Sequence, residues 1–437
     1  IRLNSPDKSS PTARRHAMLA VLIAAGLTLP FSAVAQEQPT PTQTAPAKGT
    51  PNAPTPATPE LDITILYIRH NRDAPLPLSL LDMPTSDNGI AGAKLGIDDN
   101  NTTGRFLNQK FKLEVIEDAD LDALIKKTQE AVAVGSAYAI VDMDADALLR
   151  FADAMAGKPV ILANIGNPDD ALREENCRIN VLHISPTRTM LADALGQYLV
   201  WKKWNKWFLI RGPRPEDKAL AEAYQRTAKR FGAKIVAEKE FKYDSGSRRA
   251  DGGFEQIQQQ IPQFTQDAPD HDMVIVADEA DQFASYVPYR TWLPRPVAGS
   301  AGLTPSSWHP ALELWGGTQF QNRFRRLSSR LITDRDYDAW LATRIIGEAT
   351  TRTRSGDYKA LHDYIHSPKF EVAGFKGEKL TFRSWNGQLR APLLLSQPKL
   401  LVSVSPQPGF LHQYSILDTL GIDKPESKCQ AYANVKP

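Results

Sequence analysis

The feature that most restricts the fold is an alternation of strand-like and helix-like segments that runs to about residue 184, pauses, and begins again. Ile63 to Ile68, Phe111 to Ile116, Tyr138 to Val141 and Val160 to Ala163 are short apolar or β-branched runs. Helical patterns stand between them at Gly89 to Asn101, Leu121 to Val134 and Ala145 to Met155. This order with short connections predicts a parallel sheet covered by helices on both faces. The stretch Arg178 to Gly212 closes that series and opens a second. Ser185 or Thr187 can cap a helix reaching Lys203, with Leu191, Leu195, Tyr198 and Leu199 on one face. Lys206 to Arg211 is then a buried-type strand stopped by Gly212-Pro213.

The second series places helices at Glu216 to Phe231 and Phe254 to Phe264, and the start of another at Gln282 to Tyr286. Its strands are Lys234 to Phe241, Met273 to Ala277 and Pro296 to Ser300. Leu312 to Phe320 is read as the return to the first lobe, ahead of the longest helix, Asp334 to Thr353. Asn386-Gly387 marks a hairpin between Lys379 to Arg383 and Leu389 to Leu395, and Leu400 to Val404 is a last strand. The expected fold is α/β: two Rossmann-like parallel-sheet lobes joined by crossover hinges, with a cleft between them. Residues 60–184 and 320–395 form the first lobe, 185–319 the second, and 396–437 a tail.

The first 59 residues are read as lying outside the fold. Arg14-Arg15-His16, an apolar run from Ala17 to Phe31 and Ala33-Val34-Ala35 have the form of a Sec signal peptide over residues 1–35, cleaved before Gln36. The run is shorter than the ~20 apolar residues of a membrane span. Residues 36–59 are rich in Pro, Thr and Ala, a disordered tether. The mature chain is expected to be a soluble periplasmic monomer. Charge is nearly balanced, 52 basic against 50 acidic residues, which argues against a nucleic-acid partner. The only two cysteines are Cys177 and Cys429. In a disulfide-permitting compartment a bridge between them is favoured over two buried thiols. The chain-entropy model gives about 5 kcal/mol for so long a loop as an upper guide.

Gly92-Ala93-Lys94-Leu95-Gly96-Ile97-Asp98-Asp99-Asn100-Asn101 resembles the first helix of type I periplasmic binding proteins of the branched-chain amino-acid class. Leu113 to Asp118, Lys203 to Ile210 and Phe231 to Val236 fit other elements of that family, and the similarity spans Leu61 to Leu395. Gln321-Asn322-Arg323-Phe324, Gly374-Phe375-Lys376-Gly377, Trp385 to Arg390, Phe410 to Gln413 and Leu417 to Gly421 are similar to a narrower branch. That branch consists of ABC-transporter substrate-binding proteins associated with PQQ-dependent alcohol dehydrogenase systems. The resemblance implies an importer with an inner-membrane permease and an ATPase as partners, and no catalysis. A periplasmic sensor or accessory protein presenting a ligand to a dehydrogenase is the alternative. No Gly-x-Ser-x-Gly, phosphate-binding loop or His-Glu-x-x-His motif is present.

Amino-acid binders of this family hold the ligand carboxylate with hydroxyls and free N–H groups after the third strand. Here that place reads Val141-Asp142-Met143-Asp144-Ala145-Asp146. A ligand carboxylate would meet carboxylates there, costing about 4 kcal/mol per close pair at an effective dielectric of about 20. The acids fit either helix capping or a cation site. Asp278 and Glu279 follow a second-lobe strand at the same end. Asp142, Asp144, Asp278 and Glu279 could therefore close on calcium or a lanthanide, with Asn164 and Asn167 adding amide oxygens. The competing picture is a small alcohol-derived or aromatic compound held by Tyr67, Arg69 and Arg211. No other cofactor is indicated.

Overall fold

The computed structural model describes residues 60–72, 83, 85–242 and 253–432. The signal peptide and tether expected over residues 1–59 lie outside the described residues. Among those described, no helix is long and apolar enough to cross a membrane.

The first lobe is built from strands β1 (Leu61–His70), β2 (Gln109–Asp118), β3 (Tyr138–Asp142), β4 (Ile161–Asn164) and β5 (Val181–His183). They form one parallel sheet in the order β2-β1-β3-β4-β5. Helices α1 (Ile90–Leu107), α2 (Leu121–Ala133) and α3 (Ala145–Ala154) connect them. Because successive strand residues point to opposite faces, Ile63, Ile65 and Tyr67 enter one core, with Leu95 of α1. Leu66 and Ile68 enter another, with Leu124 of α2 and Phe151 of α3.

The second lobe repeats the plan. Helix α4 (Arg188–Trp201) leads to β6 (Lys206–Arg211), then α5 (Pro215–Phe231), β7 (Lys234–Glu240), α6 (Gly253–Thr265), β8 (Met273–Ala277) and β9 (Val297–Gly299). The parallel order is β7-β6-β8-β9. Trp207 and Leu209 pack under α4 and α5, while Phe208 and Ile210 face Ile257 and Ile261 of α6. Strand β10 (Thr304–Ser306) follows. Helices α7 (Gly317–Ser328), α8 (Asp334–Thr353) and α9 (Tyr358–Ile365) then return to the first lobe, where α8 covers the β1 face beside α1. The chain continues through β11 (Val372–Ala373), β12 (Lys379–Phe382), β13 (Leu389–Arg390), β14 (Leu393–Gln397) and β15 (Leu400–Ser405).

Four expectations need correction. Helix α1 runs on to Leu107 instead of ending at Asn101, and stops where Asn108 takes a left-handed conformation and its N–H donates to the Gly104 carbonyl. The helix expected from Gln282 is only a single tight turn, Ala284–Tyr286. The Asp278 carboxylate takes the N–H groups of Phe283 and Ala284, and Pro288 prevents continuation. The hairpin strand expected to reach Leu395 stops at Arg390. Pro392 interrupts it, and β14 pairs with β10 and β15 instead. Finally, α7 stands where only a crossover was expected.

The tail is tied to both lobes. Gln407 N–H and Gly421 N–H donate to Gln197 and Asp193 of α4, while Lys428 N–H donates to Glu174 and Tyr432 OH to the Val181 carbonyl. Cys177 is bonded to Cys429 across a separation of 252 residues. Reduction is expected to lower stability by up to about 5 kcal/mol. Urea unfolding with and without reductant measures this, and identical midpoints would contradict it.

Candidate functional site

In each parallel sheet the second and third strands in sequence lie on opposite sides of the first. The helices that follow therefore diverge and leave a crevice at the carboxyl ends of the strands. In the first lobe this switch point lies between β1 and β3, where Arg69 stands opposite Asp142 in register. In the second it lies between β6 and β8, where Arg211 stands opposite Ala277, just before Asp278.

Asp142 is the hub of the first wall. Its Oδ1 accepts from Arg335 Nη1 at 2.7 Å. Its Oδ2 accepts from the Tyr67 hydroxyl at 3.3 Å and lies 3.6 Å from Arg69 Nε. Tyr67 is fully buried, which pushes its phenol up out of the ordinary range, so it serves as a neutral donor. Arg69 also holds the loop before α1, donating to the Ser86 and Asn88 carbonyls. Gly89 caps this loop at φ 81°, and a Cβ there would stand 2.3 Å from the Tyr67 hydroxyl.

Arg335 is placed by the capping box of α8, in which Thr333 Oγ1 accepts from Asp336 N–H and the Asp336 carboxylate accepts from Thr333 N–H. This arginine was missed in the sequence. It lies 193 residues from Asp142, and nothing in its local spacing signals the approach. Its presence corrects the expected repulsion of an anionic ligand, because Asp142 already faces two guanidinium groups.

The four carboxylates proposed to converge on a metal do not meet. Asp144 caps α3, accepting from Ala147 N–H at 2.8 Å, with His70 and Arg72 3.7 and 3.9 Å away. Asp278 Oδ2 accepts from Phe283 and Ala284 N–H at 2.6 and 2.8 Å, and burial pushes its carboxyl up. Glu279 grips Arg188 with both oxygens, at 2.5 and 2.9 Å. With Asp142 bound to arginine, each acid has its own partners. Among the described residues no group of three or more His, Cys, Asp or Glu side chains is placed to hold a metal ion.

Asn164 spends its amide within its own loop. Its oxygen takes the N–H groups of Gly166 and Asn167, its nitrogen donates to the Asn167 carbonyl, and His183 Nδ1 lies 3.1 Å away. Asn167 Oδ1 in turn accepts from Asp169 N–H. Arg211 is drawn to β7 by Glu238 and Glu240, at 3.3 and 2.7 Å. Asn164 offers no uncommitted group to a ligand as placed, while Arg211 commits its Nε and Nη1 to Glu238, Glu240 and the Gly212 carbonyl.

Arg188, the first residue of α4, supplies the link between the walls. It holds Glu279 after β8 and, from the other side, Asp169 after β4. The Arg188 side chain is almost buried, while the two carboxylates it holds stay 31% and 32% exposed. Beside it a cavity of ≈ 540 Å³ is bounded by Asp169 and Asp170 from the first lobe and Thr189, Pro215 and Glu216 from the second.

The fold is one of two parallel-sheet lobes, each with a switch point at the carboxyl ends of its strands. The sequence profile of the periplasmic binding protein family matches residues 82–399, and the chain belongs to that family. No curated protein sequence matches it. A branched-chain amino-acid ABC transporter ligand-binding protein from Burkholderia xenovorans is similar in structure, with TM-score 0.62 and 15% identity over 78% of this chain and 95% of that one. A leucine-, isoleucine-, valine-, threonine- and alanine-binding protein from Brucella ovis, in its closed conformation, has TM-score 0.61 and 14% identity over 80% and 95%. A solute-binding protein from R. palustris in complex with benzoate has TM-score 0.59 and 11% identity over 84% and 99%. These structures share the fold of the family to which the chain belongs.

Proposed function

We propose that the protein closes its two lobes over a small organic ligand at the paired switch points and delivers it to an inner-membrane ABC permease and its ATPase. The observation that carries this reading is the Asp169–Arg188–Glu279 bridge, which sets the two strand-end walls face to face. A ligand contacting both walls favours the closed arrangement by its differential affinity for it. The commitment of Asp142, Asp144, Asp278 and Glu279 to arginines and backbone N–H groups favours an organic ligand over calcium or a lanthanide. Arg69 and Arg335 could receive a ligand anion by sharing it with Asp142, and the named ligands of the similar proteins, leucine and benzoate among them, are carboxylates. The motifs at Trp385 to Arg390 and Phe410 to Gln413 support placing the importer beside PQQ-dependent alcohol oxidation.

Calorimetry against small carboxylates, alcohols, calcium and lanthanum tests the assignment. An organic ligand is expected to bind, and Arg335→Ala to weaken it at least about tenfold, the loss of one charge-assisted contact. Binding of cations alone, or an unchanged affinity in Arg335→Ala, would refute the site. Turnover of an alcohol or aldehyde by the purified protein would refute the role.

A further inference from the structure

A second cavity, of ≈ 270 Å³, shares no residue with the switch points. It lies where α9 ends, against the β12–β13 hairpin. Ile365, Phe370 and Phe382 supply apolar walls, and His366, Arg383 and Arg390 the polar ones.

Two polar atoms here are left over. His366 Nδ1 lies 2.9 Å from the His362 carbonyl and so carries the proton. Its Nε2 is then an acceptor, buried and without a partner among the described residues. Burial and the neighbouring His362 push this imidazole down to about 4, so it is neutral at periplasmic pH. Arg383 and Arg390 both donate to a single oxygen, Asp418 Oδ1, at 3.0 and 2.8 Å, and Asp423 adds a second negative charge on the Arg383 side. Arg383 spends its other donors on the carbonyls of Leu417, Leu420 and Ile422. Arg390 Nη1 goes to Thr381 and the Phe382 carbonyl, and its Nη2 has no partner among the described residues. A buried acceptor left unmade costs about 1–3 kcal/mol, which a donor hydroxyl beside it would recover.

We propose that this cavity is a second ligand site, for a small organic carboxylate with an apolar body and a hydroxyl. The carboxylate takes Arg390 Nη2, the body lies against Phe370 and Phe382, and the hydroxyl donates to His366 Nε2. The space is ample for one ring, since a dry cavity of about 150 Å³ already admits benzene.

The probes are 4-hydroxyphenylacetate and phenylacetate, titrated calorimetrically into the mature protein. The hydroxylated probe is expected to bind about tenfold tighter, the worth of one hydrogen bond to a buried orphan acceptor. His366→Phe is expected to erase that difference, Phe382→Trp to abolish both by filling the space, and Arg335→Ala to change neither. Because the His366→Phe readout is a ratio of two ligands, a general loss of folding cannot mimic it. Equal affinities of the two probes for the unaltered protein, a difference that survives His366→Phe, or no binding of either probe would overturn the proposal. Loss of both in Arg335→Ala would place them in the interlobe site, overturning this inference and leaving the proposed function standing.

Discussion

Replacing Lys376 with methionine is expected to cost more stability at pH 8 than at pH 5. Lys376 is almost fully buried, with its ammonium 5.6 Å from the Trp308 ring and 5.0 Å from the Tyr337 ring, donating to the Ser307 carbonyl. The carboxylates of Asp334 and Asp338, both on α8, face it. Ser307 lies on the chain between β10 and α7 that returns from the second lobe to the first. Burial pushes Asp334 up to about 6 and Asp338 up to about 7, Asp338 also through Asp334, with Arg335 and Lys376 pulling the other way. Burial pushes Lys376 down to about 7 against the pull of both acids.

The signs follow from proton counting. A carboxyl raised in the folded state keeps its proton there while the unfolded chain has lost it. Stability therefore falls as pH rises from about 4 to about 7. A lysine lowered in the folded state acts oppositely between about 7 and about 10. Methionine keeps the stem packed between the rings but removes the cation. Below the folded carboxyl values it meets neutral acids and costs little. Above about pH 7 the lysine of the unaltered protein sheds its proton in the folded state and gains stability with rising pH, about 1.4 kcal/mol for each pH unit, a gain that methionine cannot make. Urea unfolding of both proteins at the two pH values measures the contrast, and an equal loss at pH 5 and pH 8 would dismiss it.

Gly92→Ala is expected to cost at least about 2 kcal/mol, although alanine is by about 1 kcal/mol the better helix former. A Cβ at Gly92 would stand 1.8 Å from the Asp336 carbonyl oxygen, and one at Gly96 2.6 Å from Thr343 Cβ. Helices α1 and α8 thus touch nearly backbone to backbone. The obstructing atom belongs to the first turn of α8, which cannot shift alone: the Asp336 carboxylate also accepts from Gly89 N–H at 2.7 Å and pairs with Arg330 at 2.5 Å. Separating the helices would carry Arg335 away from Asp142. Ligand affinity is expected to fall together with thermal stability, and an unchanged or raised melting temperature would contradict this.

The long strands of both sheets were legible because β1, β6 and β8 are runs of apolar and β-branched residues, and α8 because its apolar period persists over five turns. Strands β5 and β10, of three residues each, are too short to display any period. Helix α7 presents Thr318, Gln319, Asn322 and two exposed arginines, so its polar face concealed its buried Phe320 and Phe324. The carboxylates after β3 and β8 stand at the strand ends, as read, but a sequence shows an acid without its counterion. Arg335 and Arg188 reach Asp142 and Glu279 only through the fold, and those pairings turned a supposed metal cage into two separate walls.

The bond between Cys177 and Cys429 encloses the whole of the second sheet in a covalent loop. Tension applied at the two ends of the chain would pass through sulfur from one cysteine to the other, and the second lobe would carry none of it. Strands β1 to β4 lie outside the loop and would be drawn out first. Reduction would release roughly 850 Å of hidden contour, at about 3.4 Å for each residue of the 252-residue separation. A protein pulled in its oxidised and reduced forms should therefore differ in extension by the second lobe together with the segments from α7 to β15 that follow it.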